Sequence, residues 1–339
     1  MNAKEQAKQR WAGVAKPLNS LGKLEDLVER IAHISQTADV DITPRCVLVF
    51  CADHGVVAEG VTQSDSSVTA LVAASLAEGS ANVNLMAKVA GADVFPVDMG
   101  MYAEVPGVID RKIARGTGNM ARGPAMERQQ ALDALQAGME LVGQMKEKGY
   151  RLIATGEMGI GNTTASTAMA CALLGFSPAD ITGRGAGLSD AGLLRKQQAI
   201  ASALSVNRPD PGDAVDVLAK VGGLEIAGMA GAFLGGAKYH VPVIIDGVIS
   251  AVAALAAARI DPRAVECMLP SHMSREPAMQ RIMAELGLQP VIDGDLALGE
   301  GTGAVALIPL LDMALSVYHG PHTFDDLGMT AYTPQEGEP

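Results

Sequence analysis

Residues 151–169 read RLIATGEMGIGNTTASTAM, and the interpretation of the whole chain starts from this stretch. We predict a short buried strand that runs into a glycine loop, followed by a helix that begins at Asn162 or Thr163. Glycines in such a loop let backbone N–H groups approach a ligand closely, and the helix N-terminus adds more donors and the positive end of its dipole. The stretch therefore predicts a phosphate site.

Glu157 lies inside this loop, close to Gly159 and Gly161. A carboxylate repels a neighbouring phosphate, so its presence there indicates an additional chemical role. An alternative interpretation is a tight strand-to-helix turn in which Asn162 or Thr163 is an ordinary N-cap. The glycine spacing does not decide between the two, because it matches neither GxGxxG nor GxxxxGKS/T.

Strands and helices alternate on both sides of this stretch. Residues 46–51 form an apolar run of strand length, and further strands are predicted at residues 92–98 and 241–246. Helices are predicted at residues 67–90 and 125–148. Continuous apolar strands indicate a parallel sheet that is covered on both faces and joined by right-handed crossovers. The predicted fold is therefore α/β, with a doubly wound parallel sheet.

The composition argues against several classes of protein. Of the 339 residues, 48% are hydrophobic, which is enough for a large core, and the longest apolar run is too short to span a bilayer. A net charge of −12 and an aromatic content of 3% argue against nucleic-acid binding. The polar N-terminus lacks the apolar segment of a secretory signal. The four cysteines form no CxxC pair, so we expect reduced thiols in a cytoplasmic protein without a structural zinc.

Isolated polar side chains follow several of the predicted strands. They are Asp53, His54, Asp98, Glu157, Asp246, Ser271, His272 and Glu300. The carboxyl ends of parallel strands lie along one edge of a sheet, so we expect these groups to converge on one cleft. Carboxylates there would stabilise a cationic sugar and accept a proton from an incoming nitrogen nucleophile. Beside a backbone phosphate site, they favour transfer of a phosphorylated sugar.

Some of these groups also have a purely structural interpretation. Asp53 and His54 are compatible with a satisfied turn after a strand. Glu300 lies between two glycines at the start of an apolar helix, where an acid compensates the helix dipole. The sequence leaves both interpretations open.

Several longer motifs carry a resemblance to a known family. They are KPLNSLGKLE at residues 16–25, ADHGV at 52–56, GEMGIGNTT at 156–164, VGG at 221–223 and LGEGTGA at 298–304. Taken in this order, they resemble the nicotinate-nucleotide–dimethylbenzimidazole phosphoribosyltransferase family. The resemblance implies a Rossmann-like α/β domain at residues 41–304, a small helical domain built from residues 1–40 and 305–339, and a homodimer.

The resemblance also implies an activity and the residues that perform it. Phosphoribose would pass from nicotinate mononucleotide to a lower-ligand base of cobalamin such as 5,6-dimethylbenzimidazole, with inversion at the anomeric carbon and without a metal or other cofactor. Glu300 matches the general base, and Glu157 matches a second acid near the ribose. The implied phosphate and nucleotide contacts are Gly159, Gly161, Asn162, Lys196, Ser274 and Gly301. The implied acceptor-base pocket consists of Asp53, His54, Ser64, Leu71, Val72 and Leu298.

The chain departs from the family at two places. Ala297 stands where some members have Arg, and Leu71 or Val72 stands where some have a Gln beside the acceptor. These apolar residues predict a permissive acceptor pocket. The alternatives are a member that activates phenolic bases, a catalytically weak partner subunit of a heterodimer, and a nucleotide-dependent oxidoreductase. The missing dinucleotide fingerprint disfavours the oxidoreductase.

Overall fold

The computed structural model describes residues 1–333, and a parallel sheet forms the centre of this part of the chain. Its strands are β1 (Arg45–Ala52), β2 (Asp93–Gly100), β3 (Ile109–Asp110), β4 (Leu152–Met158), β5 (Val243–Ile245) and β6 (Met268–Pro270). Within residues 1–333 these six strands follow the order β3-β2-β1-β4-β5-β6. A separate parallel pair consists of β7 (His272–Met273) and β8 (Ile292–Asp293). The prediction of a doubly wound parallel sheet is confirmed.

The central position of β1 follows from its apolar sequence, because its side chains are buried from Cys46 to Ala52. It pairs in parallel with β2 on one side and with β4 on the other. The direction in which strands are added reverses between β1 and β4, and ligands of doubly wound sheets bind at such a switch point. Phe50 lies opposite Glu157 in this pairing, so the two strands end side by side.

Helices cover both faces of the sheet. They are α1 (Ala3–Gly13), α2 (Lys23–Ser35), α3 (Ser67–Glu78), α4 (Asn82–Ala90), α5 (Arg128–Glu147), α6 (Asn162–Leu174), α7 (Pro178–Ile181), α8 (Asp190–Asn207), α9 (Ala214–Val221), α10 (Leu224–Tyr239), α11 (Val248–Ile260), α12 (Ala278–Leu286) and α13 (Thr302–Tyr318). Gly228 of α10 lies against Phe50, and Gly301 at the start of α13 lies against Val47. These two β1 side chains point to opposite faces, so α10 and α13 lie on opposite sides of the sheet. Within residues 1–333, no helix is long and apolar enough to cross a membrane.

Glycines let α5 and α10 pack with their backbones almost in contact. A Cβ at Gly138 would collide with the carbonyl oxygen of Gly228, and one at Gly231 would collide with that of Leu135. Only glycine permits this approach. The packing fixes the position of α10, whose first turn carries Glu225 into the interior of the protein.

The helix predicted over residues 67–90 is in fact two helices, so this prediction is wrong. After α3, Gly79 forms the C-cap with a φ of +80°, a left-handed conformation that favours glycine. α4 then begins at Asn82. The break reads Glu78-Gly79-Ser80, and the glycine is a C-cap signal that the prediction overlooked. The break places a helix N-terminus at Asn82, next to the cleft described below.

The two ends of the chain pack against each other. The rings of Trp11 and Tyr318 meet edge to face with their centroids 4.9 Å apart. This contact joins residues 1–40 to residues 305–339, of which residues 334–339 lie outside the described part of the chain. α13 also packs on β4 of the central sheet. The division into two domains therefore stays a prediction.

Candidate active site

A cleft opens at the carboxyl end of β4, beside the switch point of the sheet. It consists of a cavity of about 220 Å³ and a neighbouring cavity of about 100 Å³. Both cavities are lined by Gly159, Ile160, Asn162, Thr163, Gly185 and Ala186. The larger cavity extends towards Glu157 and Glu300, and the smaller one extends towards Lys196.

Another cavity, of about 550 Å³, lies beside the amino ends of β5 and β6. It is larger than the cleft, but ligands of doubly wound sheets bind at the carboxyl ends of the strands. Its lining does not include any of the catalytic or binding residues that the sequence predicts within residues 1–333. We therefore place the candidate active site in the cleft.

The glycine loop after β4 is held by close backbone contacts. A Cβ at Gly159 would lie 2.5 Å from the carbonyl oxygen of Ala52, so glycine is required there. The Ile160 N–H donates to Thr69 Oγ1 at 3.1 Å. Gly161 is the N-cap of α6 and has a φ of +99°. Within residues 1–333 no side chain caps α6, so the alternative of a side-chain N-cap is wrong and the helix N-terminus remains suited to an anion.

Glu157 is buried at the floor of the larger cavity. Its Oε2 accepts a hydrogen bond from the side-chain amide of Asn162. Its Oε1 lies 2.7 Å from the position that a Cβ on Gly299 would occupy, so this glycine makes room for the carboxyl group. Burial, together with the carboxylates of Asp246 and Glu225, raises the pKa of Glu157 to about 8. Glu157 is therefore mostly protonated at neutral pH when no cation is bound beside it.

Glu300 lies on the turn that precedes α13 and lines the larger cavity. Its φ of +61° is uncommon for a residue with a side chain. Its carboxylate accepts one hydrogen bond from the Val83 N–H at 3.1 Å and another from Asn82 Nδ2 at 3.2 Å. The carboxylate thus contacts the N-terminus of α4, and the alternative in which it compensates the dipole of the following helix is wrong.

Asp246, which follows β5, provides the cap of α13 instead. Its Oδ2 accepts from the Gly301 N–H at 3.2 Å, and its Oδ1 accepts from the Ala304 N–H at 2.9 Å. Burial raises the pKa of Asp246 and lowers that of His272, which lines the same cavity. Gly301, a predicted nucleotide contact, directs its N–H at Asp246 and lines neither cavity of the cleft.

Lys196 lies on α8 and is fully buried. Its Nζ donates to Thr163 Oγ1 at 2.9 Å and to the carbonyl oxygen of Gly183 at 3.1 Å. Burial lowers the pKa of Lys196 to about 8, against the opposing effect of the Glu276 carboxylate. The side chain forms part of the wall of the smaller cavity, where a cation favours a phosphate.

The structure brings most of the predicted catalytic and phosphate-binding residues together, along with Ser64 and Leu298 of the predicted acceptor pocket. The larger cavity is lined by Glu157, Gly159, Asn162, Ser274, Leu298 and Glu300, and the smaller one by Ser64, Gly159, Gly161, Asn162 and Lys196. Their individual roles stay predictions, because the geometry shows where the side chains lie and not what they bind. In the described part of the chain, no group of three His, Cys, Asp or Glu side chains is arranged to hold a metal ion.

Asp53 and His54 lie beneath the cleft and do not line it. His54 Nε2 is 2.7 Å from Glu225 Oε1, and both side chains are buried. Asp53 Oδ2 accepts from the Tyr102 N–H at 2.7 Å, and burial raises the pKa of Asp53. A Cβ at Gly161 would lie 3.2 Å from His54 Cβ, so the His54 side chain supports the glycine loop. Within residues 1–333, Asp53 Oδ1 is buried without a hydrogen-bond partner, so the interpretation as satisfied groups after a strand holds only in part. The structure does not place Asp53 or His54 in an acceptor pocket.

Leu71 and Val72 lie on α3, outside both cavities of the cleft. Leu71 is 64% exposed, whereas Val72 is half-buried against the core. The structure of one chain therefore does not place Leu71 and Val72 in the acceptor pocket. Ala297, the other departure from the family, does line the larger cavity.

Several residues that line or support the cleft are not among those predicted from the sequence. Arg184 and Gly185 line it, and the glycine-rich run at residues 182–190 is the signal that could have identified them. Glu225 is the partner of His54, and an acid within an apolar, Gly/Ala-rich helix is a sign of a buried polar contact. Asn82 follows the C-cap glycine Gly79, and this glycine is the signal that could have revealed a helix start there.

The chain matches known proteins over nearly its full length. A family model described as phosphoribosyltransferase matches residues 1–329. The nicotinate-nucleotide–dimethylbenzimidazole phosphoribosyltransferase of Ruminiclostridium cellulolyticum is 43% identical, over 98% of this chain and 95% of its own. The protein of the same name from Geobacter metallireducens is 45% identical, over 96% of this chain and 93% of its own. The chain in the crystal structure of CobT from Thermus thermophilus is 40% identical in sequence and superposes with a TM-score of 0.92. The match covers 97% of this chain and 99% of that one. The chain therefore belongs to the nicotinate-nucleotide–dimethylbenzimidazole phosphoribosyltransferase family.

Proposed function

We propose that the chain transfers the phosphoribosyl group of nicotinate mononucleotide to 5,6-dimethylbenzimidazole or a similar base. The products are nicotinate and α-ribazole 5'-phosphate. The observation that carries the proposal is that a glycine loop at a helix N-terminus and the carboxyl groups of Glu157 and Glu300 line one cavity. The names of the relatives support it, because they describe a reaction that needs a phosphate site and an acid–base group together.

The phosphate of the donor is assigned to the smaller cavity. The loop of residues 159–161 and the N-terminus of α6 offer backbone N–H groups there, and Lys196 offers a positive charge. The net charge of −12 repels a phosphate at long range, and a cation in the cleft offsets this repulsion locally.

In the transfer, a ring nitrogen of the acceptor forms a bond to C1' of the ribose while the bond from C1' to the nicotinate nitrogen breaks. The electron pair of the broken bond returns to that nitrogen, and nicotinate leaves. Attack from the face opposite nicotinate inverts C1'. The second ring nitrogen of the acceptor becomes more acidic as positive charge develops on its ring, and the Glu300 carboxylate accepts its proton.

Glu157 is assigned to the ribose side of the larger cavity. Burial raises its pKa to about 8, so it is mostly protonated before the donor binds. A cationic pyridinium or sugar bound beside it favours the ionised form of the carboxyl group. Glu157 therefore gains its negative charge when the donor is present, and this charge stabilises the cationic sugar in the transition state.

The proposal is tested by incubating the purified chain alone with nicotinate mononucleotide and dimethylbenzimidazole. Nicotinate and α-ribazole 5'-phosphate should appear in equal amounts when the products are separated chromatographically. Nicotinate release without a riboside product would indicate hydrolysis and contradict the transfer. No turnover by the lone chain would favour the alternative of a partner subunit in a heterodimer.

We expect the enzyme to accept several bases. The walls of the larger cavity include the apolar side chains of Met158, Ile160 and Leu298, and these residues, rather than Leu71 and Val72, support the expectation. One methyl group in an apolar pocket is worth about 1–3 kcal/mol, so dimethylbenzimidazole, its less methylated forms and benzimidazole should react within about a hundredfold of one another. Competition between dimethylbenzimidazole and benzimidazole measures the ratio. A preference above about a thousandfold would contradict a permissive, apolar-walled pocket.

We further propose that the chain forms a homodimer through α4 and α13. These two helices pack against each other, and they expose Leu85, Val89, Met313 and Val317, with Val89 85% exposed. On each helix the two residues are four positions apart and lie on one face, so they form an apolar patch of the kind found at subunit interfaces. Light scattering should give twice the chain mass of 34.9 kDa, and Val89→Asp should reduce it to that of a monomer. A monomeric unsubstituted chain would contradict the proposal.

A further inference from the structure

The Glu300 carboxylate is held by a helix that lies far from it in the sequence. Its Oε2 accepts from the backbone N–H of Val83 at 3.1 Å, and its Oε1 accepts from Asn82 Nδ2 at 3.2 Å. Both donors belong to the first turn of α4. The contact therefore engages both oxygens of the carboxyl group that faces the larger cavity.

The first turn of α4 is suited to this contact for a local reason. The N-cap of α4 is Ala81, whose side chain has no acceptor, and no side chain of the neighbouring sequence caps the helix within residues 1–333. A helix N-terminus without a cap has unsatisfied N–H groups and attracts a negative charge. Glu300 supplies this charge from the turn before α13, where its φ of +61° fixes the direction of the side chain.

We propose that Asn82, together with the N-terminus of α4, is a positioning residue that holds the Glu300 carboxylate in the cleft. The inference rests on the proposed function, in which Glu300 accepts the proton of the acceptor base. Two hydrogen bonds fix the orientation of the carboxylate, and proton transfer requires the acceptor oxygen to be correctly placed. Asn82 does not line either cavity, so it acts through Glu300 and not by touching a substrate.

The experiment compares Asn82→Ala and Asn82→Asp with the unsubstituted enzyme. Asn82→Ala removes one charge-assisted hydrogen bond, and kcat should fall about tenfold while KM for both substrates stays unchanged. Asn82→Asp keeps the size of the side chain but replaces the donor by a second carboxylate, so kcat should fall further. The melting temperature of each variant is measured together with kcat, so that a loss of catalysis is distinguished from a loss of folded protein.

Asn84→Ala is the matched control on the same helix. Asn84 Nδ2 donates to the carbonyl oxygen of Leu76 at 3.2 Å and has no contact with Glu300. This substitution should lower the melting temperature but leave kcat unchanged at temperatures where the protein is folded. A loss of kcat in Asn84→Ala equal to that in Asn82→Ala would show that any damage to α4 has the same effect, and it would overturn the inference.

A double-mutant cycle separates this inference from the function on which it rests. If Asn82 acts through Glu300, Asn82→Ala should have no further effect in a Glu300→Gln background, because the carboxylate is already absent. An undiminished tenfold loss in that background would overturn the positioning role. Normal kcat in Asn82→Ala, with low turnover in Glu300→Gln, would also overturn it while leaving the base assignment intact. Normal turnover in Glu300→Gln would instead show that the base assignment itself is wrong.

Discussion

Glu300→Gln is expected to lower turnover by roughly two to four orders of magnitude, which is the usual contribution of a positioned general base. Gln has nearly the same size as Glu and can still accept a hydrogen bond from Val83 or Asn82. It cannot accept the proton of the acceptor base at neutral pH. Initial rates of nicotinate release with saturating substrates measure the effect, because they report kcat and not binding.

The alternative to this result is that Glu300 serves only to cap α4. Losing the charge of an acid at a helix N-terminus costs about 0.3–1 kcal/mol of stability, which is too little to unfold the protein. Turnover near that of the unsubstituted enzyme, with a slightly lower melting temperature, would therefore contradict the catalytic role. Glu285→Gln is the control, since Glu285 is a carboxylate on α12 that pairs with Arg259 at the surface and should not affect turnover.

The fold could be predicted from the sequence because the central strands of its sheet are mostly apolar. The runs predicted at residues 46–51, 92–98 and 241–246 correspond to β1, β2 and β5. The helix predicted to begin at Asn162 or Thr163 begins at Asn162. Buried parallel strands leave few alternatives, because they need helices on both faces and right-handed connections. The switch point between β1 and β4 then determines where the cleft lies.

The candidate site was predictable only where a residue is fixed by its local backbone. Glu157 and Glu300 lie on glycine-flanked segments, and both line the larger cavity. His54 occupies a comparable position after a strand, but its side chain lies beneath the loop. There it contacts Glu225, which is 171 residues further along the chain. Asn82 donates a hydrogen bond to Glu300, which is 218 residues away in the sequence. No local pattern contains such pairings, because they arise from packing between distant elements.

Lys196→Met is expected to weaken nicotinate mononucleotide about tenfold to a hundredfold and to leave the acceptor base nearly unaffected. One or more charge-assisted hydrogen bonds to the donor phosphate would be lost, each worth about 1.5–3 kcal/mol. Calorimetric titration of each substrate separately measures the two affinities. Lys238→Met is the control, because Lys238 is exposed and lies outside the cleft. Equal weakening of both substrates would show that Lys196 acts structurally, by holding Thr163 and Gly183.

The pH dependence of donor binding provides a second and independent measurement of the role of Lys196. Burial lowers the pKa of Lys196 to about 8, so its ammonium form is present below that pH and is lost above it. Affinity for nicotinate mononucleotide should therefore fall as the pH rises through about 8. Deprotonation of Glu157, whose pKa is also about 8, acts in the opposite direction, because the cationic pyridinium of the donor favours the ionised carboxyl group. The Lys196→Met variant separates the two contributions, because the pH dependence of its donor affinity has no contribution from the lysine. If the affinity falls as steeply with rising pH in Lys196→Met as in the unsubstituted enzyme, the lysine does not bind the phosphate.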